Sequence, residues 1–308
     1  MRIIVPPIKS QGIKTRLVPW INEIAASAGI APAARWIEPF FGTGAVGFNS
    51  PFPGLHVAGD TNPHTIAFYK AVQDGTITGD SMRAYLKHEG AMLEGSANGG
   101  DDYFKTVRAR FNKSHDPYDF LFLSRAGFNG MMRFNSRGAW NVPFCKKSGR
   151  FSPAYITKIC NQIDAVARQM RVIQWDFRIS DFADTIAMAG QGDFIYCDPP
   201  YYGRYADYYN TWTAQDEHRL FDALSSTRAK FVLSTWHHND YRANEMMNRF
   251  WHKFNIATKD HFYHNGAKIE NRHAVVEALV FNFDLQNETT RKSNPAEAVQ
   301  LELFAEAV

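Results

Sequence analysis

Hydrophobic positions along the chain follow two rhythms. Short apolar runs predict buried strands at 35–40, 55–59, 194–197 and 230–236. Shorter signals at 171–173 (running on into 174–177), 250–257 and 274–283 predict three more, the last two paired as a hairpin. Between them, apolar residues at helical spacing predict helices over 17–28, 63–74, 81–93, 103–111 and 213–226. A further helix starts at Ser152-Pro153 and carries the stripe Ile156, Ile159, Ile163, Val166 and Met170. Thr213 with Asp216 reads as a capping box for the 213–226 helix.

Alternating strands and helices predict an α/β sheet with helices on both faces. From 66 to 170 the strand signal vanishes and helices take over. The expected organisation is a discontinuous catalytic and cofactor-binding domain, 1–65 and 171–285, with a mainly helical insert at 66–170. The polar stretch 286–308 is expected to be a flexible tail.

The run 194–197 ends in Asp198-Pro199-Pro200-Tyr201. Two prolines cannot continue a hydrogen-bonded strand, and each removes a backbone donor. A carboxylate, a stiff turn and an aromatic ring therefore share the carboxyl end of a strand, the edge where open α/β sheets bind ligands. The set suits methylation of an amino group conjugated to a base ring, whose nitrogen is a poor nucleophile. The Asp198 carboxylate and the Pro199 carbonyl can hold its two hydrogens while Tyr201 stacks on the ring. A strand end followed by a plain surface turn has the same local pattern.

Other stretches bear on that choice. Strand 35–40 runs into Glu38-Pro39-Phe40-Phe41-Gly42-Thr43-Gly44, a glycine turn that lets backbone approach a ligand. The next strand ends in Asp60, sixteen residues after Gly44 and placed to bind ribose hydroxyls. Together they indicate an adenosine-containing cofactor, a logic shared with NAD-binding proteins. Asp176-Phe177 at a strand end can bracket an adenine ring. Residues 124–138 hold Arg125, Arg133 and Arg137 with Asn129, Met131 and Asn135. Asn129-Gly130 is a hairpin-turn dipeptide, and Arg and Asn near its tip suit reading base edges in a major groove. The tyrosine-rich loop 202–212, with Tyr205, suits a clamp on nucleic acid.

Composition adds bounds. At 308 residues with 45% hydrophobic content, the chain can hold one large α/β domain with an inserted lobe, or two modest domains. A net charge of +3 permits a local DNA-binding patch without demanding one. Three dispersed cysteines point to a reducing cytosol, hence a cytoplasmic protein. Eleven histidines show no metal-ligand spacing, so no metal is expected.

In their order, these motifs resemble the Dam-type (DPPY, alpha-group) DNA adenine-N6 methyltransferases over most of residues 5–283. The segment from Lys9 to Lys14 is similar to the family's N-terminal cofactor segment, departing from it at Ser10, where an aromatic is common. The resemblance implies a Rossmann-like methyltransferase sheet with an inserted, mainly helical target-recognition lobe that carries a β-hairpin. It implies S-adenosylmethionine as cofactor, bound by Lys14, Glu38, Phe40, Gly42, Gly44, Asp60, Asp176, Phe177 and Asp198. Catalysis falls to Asp198, Pro199, Pro200 and Tyr201. Contacts to duplex DNA fall to Arg125, Asn129, Met131, Arg133, Asn135, Arg137 and Tyr205, and a cognate restriction endonuclease is a candidate partner. Cytosine-N4 methylation, a catalytically silent DNA-binding relative and a NAD-dependent enzyme are the rival readings. The intact DPPY and the missing full GxGxxG weigh against the last two.

Overall fold

The computed structural model describes residues 3–203, 212–262 and 274–285. The expectations placed on Tyr205 and on the tail 286–308 lie outside the described residues.

The chain opens with helix α1 (Val18–Ser27), then strand β1 (Trp36–Glu38), β2 (His56–Asp60) and α2 (Pro63–Gln73). The helical stretch follows, with α3 (Gly79–Gly95), α4 (Asp101–Ser114), α5 (Pro117–Ala126) and α6 (Pro153–Val172). The α/β alternation resumes with β3 (Trp175–Ile179), α7 (Phe182–Ala187), β4 (Phe194–Cys197), α8 (Ala214–Ser226) and β5 (Lys230–Asn239). It closes with α9 (Glu245–Arg249), β6 (Asn255–Phe262) and β7 (Ala274–Phe281).

The strands form one sheet in the order β3-β2-β1-β4-β5-β7-β6. β1 to β5 pair in parallel, and β7 runs antiparallel to both β5 and β6. Because the order reverses between β1 and β4, the loops leaving these two strands open a crevice at their carboxyl ends. The glycine turn follows β1 and DPPY follows β4, so topology alone brings the two motifs together.

Strands of a sheet covered on both faces are apolar throughout, which is why β4 reads Phe-Ile-Tyr-Cys and is buried at all four positions. Ile37, Val57, Ile195, Cys197, Phe231 and Leu233 pack on the face covered by α7, α8 and α9. On the opposite face Trp36, Phe194, Tyr196 and Val232 meet α1. There too, Ala58, Trp175 and Phe177 join an apolar cluster that continues without a break through α2 to α6. The lobe thus shares a core with the sheet.

Helix starts follow local chemistry. Asn62 caps α2 by accepting the His64 amide at 3.0 Å, with Pro63 in the first turn. The capping box at Thr213 and Asp216 forms as expected. Ser152 precedes α6 without a side-chain cap bond.

Three expectations need correcting. The residues 171–172 are the last turn of α6, and the strand begins only at Trp175. The strand expected at 250–257 starts at Asn255, after a short 3-10 turn. The hairpin has its tip at Asn135–Gly138, where the Asn135 amide bonds the Ala139 carbonyl at 2.9 Å, and not at Asn129-Gly130. That dipeptide makes the turn that leads out of α5, with Asn129 at φ 51° and Gly130 at φ 70°. The two arms meet at the bridges Gly127–Phe144 and Phe134–Trp140. Helix α5 escaped the apolar pattern because all of its residues from Asp119 to Ala126 are buried, leaving no polar stripe. Among the described residues, no helix is long and apolar enough to cross a membrane. The three cysteines are free.

Candidate active site

The chain leaves β4 through Asp198, Pro199, Pro200 and Tyr201. Lys14, only 5% exposed, reaches Asp198 from the N-terminal segment, Nζ to Oδ1 at 2.8 Å. The same ammonium lies 4.6 Å from the centre of the Tyr201 ring. Burial pushes the Asp198 carboxyl above its ordinary range; Lys14 opposes that shift, and the nearby Glu277 adds to it. The Tyr201 hydroxyl donates to Glu277 on β7, O to O 2.5 Å. Glu277 stands among apolar residues in the sequence, which left it unnoticed there.

Next to DPPY lies a cleft partly open to solvent. Phe40, Phe182 and Trp212 wall it: Phe40 stacks on Phe182 at 5.2 Å, and the Trp212 ring stands 5.6 Å from Phe40. Trp212 is held by the buried Glu217, which accepts its indole N–H at 2.6 Å and that of Trp251 at 2.7 Å. On the polar side, Asp60 accepts the amides of Gly42 at 2.6 Å and Asn62 at 2.8 Å. Burial holds its carboxyl above the usual range despite both bonds.

The glycine turn is shaped by packing. Gly44 has φ 73°, and a Cβ there would lie 2.5 Å from both Phe41 and Phe48. Glu38 lies beneath the turn, buried, accepting the Trp36 indole N–H at 3.1 Å. Burial drives its carboxyl well above the normal range. It borders a small recess shared with Lys14, Phe40, Gly42 and Asp198.

Asp176 and Phe177 are elsewhere. Phe177 is in the core, stacked on Trp175 at 5.5 Å, and Asp176 pairs with Arg178 at 2.7 Å. Because β3 starts later than the sequence suggests, the Asp-Phe pair at its carboxyl end is Asp181-Phe182, and this pair lines the cleft. Asp181 caps α7 and binds Arg219 at 2.8 Å, and Arg219 lies over the Phe182 ring at 4.7 Å. The capping position marks the strand end, a signal the sequence did contain.

Arg125 is also not where its charge suggested. At 5% exposure it donates to the Pro7 carbonyl at 2.6 Å and to Gln162 at 2.5 Å, pinning the N-terminal segment to the lobe. Ser124 ties the same segment through both the amide and the carbonyl of Lys9. The segment that delivers Lys14 is therefore mounted on the lobe.

Phe128, 52% exposed, and Asn129 form the turn beside it. Met131 packs on the lobe core. Arg133 donates to Asn141 Oδ1 at 2.9 Å across the hairpin, and Asn135 Oδ1 accepts the amides of Arg137 and Ala139 at the tip. Arg137 is exposed. Met132 joins hairpin to cleft: its Sδ takes a hydrogen bond from Asn62 at 3.1 Å, and its side chain borders the cleft.

The family described as D12 class N6 adenine-specific DNA methyltransferase matches residues 10–265, covering the Lys14 segment, the glycine turn, the lobe and DPPY. The chain belongs to this family. The DNA adenine methylase of Haemophilus influenzae is 32% identical over 200 residues, 64% of this chain and 63% of that protein. The DNA adenine methylase of Vibrio cholerae is 31% identical over 209 residues, 64% of this chain and 69% of that protein. The type II methyltransferase M.FokI of Planomicrobium okeanokoites is 28% identical over 220 residues, 68% of this chain but 33% of its own length. The match thus spans somewhat under two thirds of the Haemophilus methylase. The D12 membership agrees with the resemblance carried by the motifs. Among the described residues, no group of three or more His, Cys, Asp or Glu is placed to hold a metal.

Proposed function

We propose that this D12-family chain transfers a methyl group from S-adenosylmethionine to N6 of an adenine in duplex DNA. The observation that carries the reading is the position of the DPPY turn at the switch point, beside an aromatic-walled cleft that Met132 of the hairpin also borders.

The cleft fits an adenosine-containing cofactor. Asp60 offers acceptors for ribose hydroxyls, and Phe40, Phe182 and Trp212 offer apolar faces for the adenine ring. S-adenosylmethionine supplies a methyl group activated by its sulfonium centre. The target adenine leaves the base stack, at a cost of a few kcal/mol. Asp198 and the Pro199 carbonyl then accept the two hydrogens of its amino group and favour the pyramidal nitrogen that frees the lone pair. Lys14 favours the ionised, accepting form of Asp198 in a buried setting. Tyr201 fixes the plane of the ring. Direct transfer then needs no covalent enzyme intermediate. Acceleration comes from positioning and preorganised acceptors. Residues 66–170 serve target recognition, with Arg133 and Arg137 on the hairpin and Asn129 on the neighbouring turn as its DNA contacts. A cognate endonuclease finds support in one relative being a type II methyltransferase.

The test is tritiated methyl transfer to unmethylated plasmid DNA, followed by digestion and nucleoside identification. Label is expected in N6-methyladenine, and Asp198→Ala is expected to lower transfer by roughly 10²–10³-fold or more while cofactor still binds. Label in N4-methylcytosine would transfer the mechanism to the other base. Full activity in Asp198→Ala would sink the assignment.

A further inference from the structure

We propose that Glu277 is a positioning residue for methyl transfer, holding the ring of Tyr201 by accepting its hydroxyl. The proposal rests on the adenine-methylating reading of the DPPY site.

Glu277 lies in the middle of β7, 1% exposed, within the run Ala-Val-Val-Glu-Ala-Leu-Val-Phe. A carboxylate buried in an apolar strand is costly unless its oxygens are hydrogen-bonded. Its bond from Tyr201 spans 76 positions of sequence and joins the antiparallel part of the sheet to the catalytic turn. A ring whose task is to stack has no need of a hydroxyl. The hydroxyl is therefore available as a tether. It lies on the Cβ–Cγ axis, so a bond there restrains the swing of the ring about χ1. The Lys14 ammonium, 4.6 Å from the ring centre, favours one tilt of its face.

The neighbouring strand adds a second tether. Trp236 on β5 is the register partner of Glu277, and its indole N–H donates to the Tyr202 carbonyl at 3.0 Å. One rung of the β5–β7 ladder thus holds the side chain of residue 201 and the backbone of residue 202. Such support fixes a stacking platform before the base arrives, which is where positioning contributes most to rate.

The experiment compares wild type with Glu277→Gln, Glu277→Leu, Tyr201→Phe and the Tyr201→Phe/Glu277→Leu double variant, using tritiated transfer to unmethylated lambda DNA with cofactor affinity measured separately. Tyr201→Phe keeps the ring and loses only the tether. It and Glu277→Leu are each expected to lower kcat by about 10- to 100-fold, with cofactor Kd within about threefold of wild type. The double variant is expected to be no worse than the poorer single one, because both remove the same bond. Glu277→Gln, which keeps an acceptor, is expected to retain most of the rate. Wild-type kcat in Tyr201→Phe, losses that multiply in the double variant, or a parallel loss of cofactor affinity would each overturn the proposal. If Glu277→Leu does not fold, Tyr201→Phe and Glu277→Gln decide it. Failure of the adenine reading is seen in the wild type alone, as label in another base. Failure of the Glu277 proposal is seen in the ratio of variant to wild type, whichever base takes the label.

Discussion

Lys14 Nζ stands 2.8 Å from Asp198 Oδ1, so the N-terminal segment places a cation on the carboxylate of the DPPY turn. The segment is mounted on the lobe through Arg125 and Ser124, and electrostatics at the proposed catalytic centre therefore depend on a part of the chain that also bears the hairpin.

Removing that cation has a signed consequence. Burial raises the Asp198 pKa and Lys14 lowers it, so Lys14→Met leaves the raising contributions unopposed. The protonated carboxyl cannot accept from the target amino group. The acid limb of the kcat–pH profile is expected to move to higher pH in Lys14→Met at saturating cofactor. An unmoved limb would separate Lys14 from the ionisation of Asp198.

The two arginines expected to touch DNA are predicted to part company. Arg125→Met strands the Pro7 carbonyl and the Gln162 amide oxygen and is expected to destabilise the fold by about 3 kcal/mol in urea unfolding. Arg133→Ala is expected to leave stability within about 0.5–1 kcal/mol. Its effect should be to raise the KM for DNA. An Arg125 variant with normal stability and weakened DNA binding would restore the reading of that residue as a DNA contact.

Trp212 is predicted to matter to the cofactor more than to the chemical step. Trp212→Ala removes one wall of the cleft and is expected to raise the cofactor Kd by about tenfold, on the order of 1.4 kcal/mol. The kcat at saturation should change little. Titration calorimetry with S-adenosylmethionine, beside transfer at saturating cofactor, checks both halves.

Two buried histidines make stability fall on mild acidification. Burial lowers both His56 and His64 from the ordinary 6.5 to about 4, with the neighbouring His115 adding to the shift of His64. A depressed folded-state pKa means that the unfolded chain binds the proton first. The stabilisation is complete above pH 6.5 and is lost progressively as pH falls towards 4. Each histidine is expected to withdraw about 2 kcal/mol between pH 7 and pH 5. His64 stacks against Phe134 of the hairpin at 5.0 Å. His64→Phe should therefore remove about half of the acid-induced loss in urea unfolding. An unchanged loss would show that His64 does not titrate in this range.

Much of the sheet is legible in the sequence because β1, β2, β4 and β5 are apolar runs with sharp stops. DPPY ends one of them, so motif and strand end coincide. The start of β3 lies later than Arg171-Val172-Ile173 suggests because Arg171 and Val172 end α6 with Val172 facing solvent, and composition does not separate a β-branched helix end from a strand. That shift of a few residues puts the expected Asp-Phe pair at Asp176-Phe177, whereas the Asp-Phe pair that lines the cleft is Asp181-Phe182, five positions further on. Arg125 misled for another reason: charge in a sequence reads as surface, yet α5 is buried on every side and draws its arginine inward. Glu217 and Glu277 were invisible because their partners are set by tertiary contact, in the case of Glu277 across 76 residues.

The sheet order carries a consequence for synthesis. β7 lies between β5 and β6, although both precede it in the chain. As the polypeptide emerges, β5 and β6 have no strand between them, and Tyr201 has no Glu277 to bind. A nascent chain that stops short of residue 274 presents the open edge of β5, a template for pairing with other chains. The proposed methylating centre is complete only once the strand ending at Phe281 has threaded into its slot, so an unfinished chain is expected to have little ability to mark DNA.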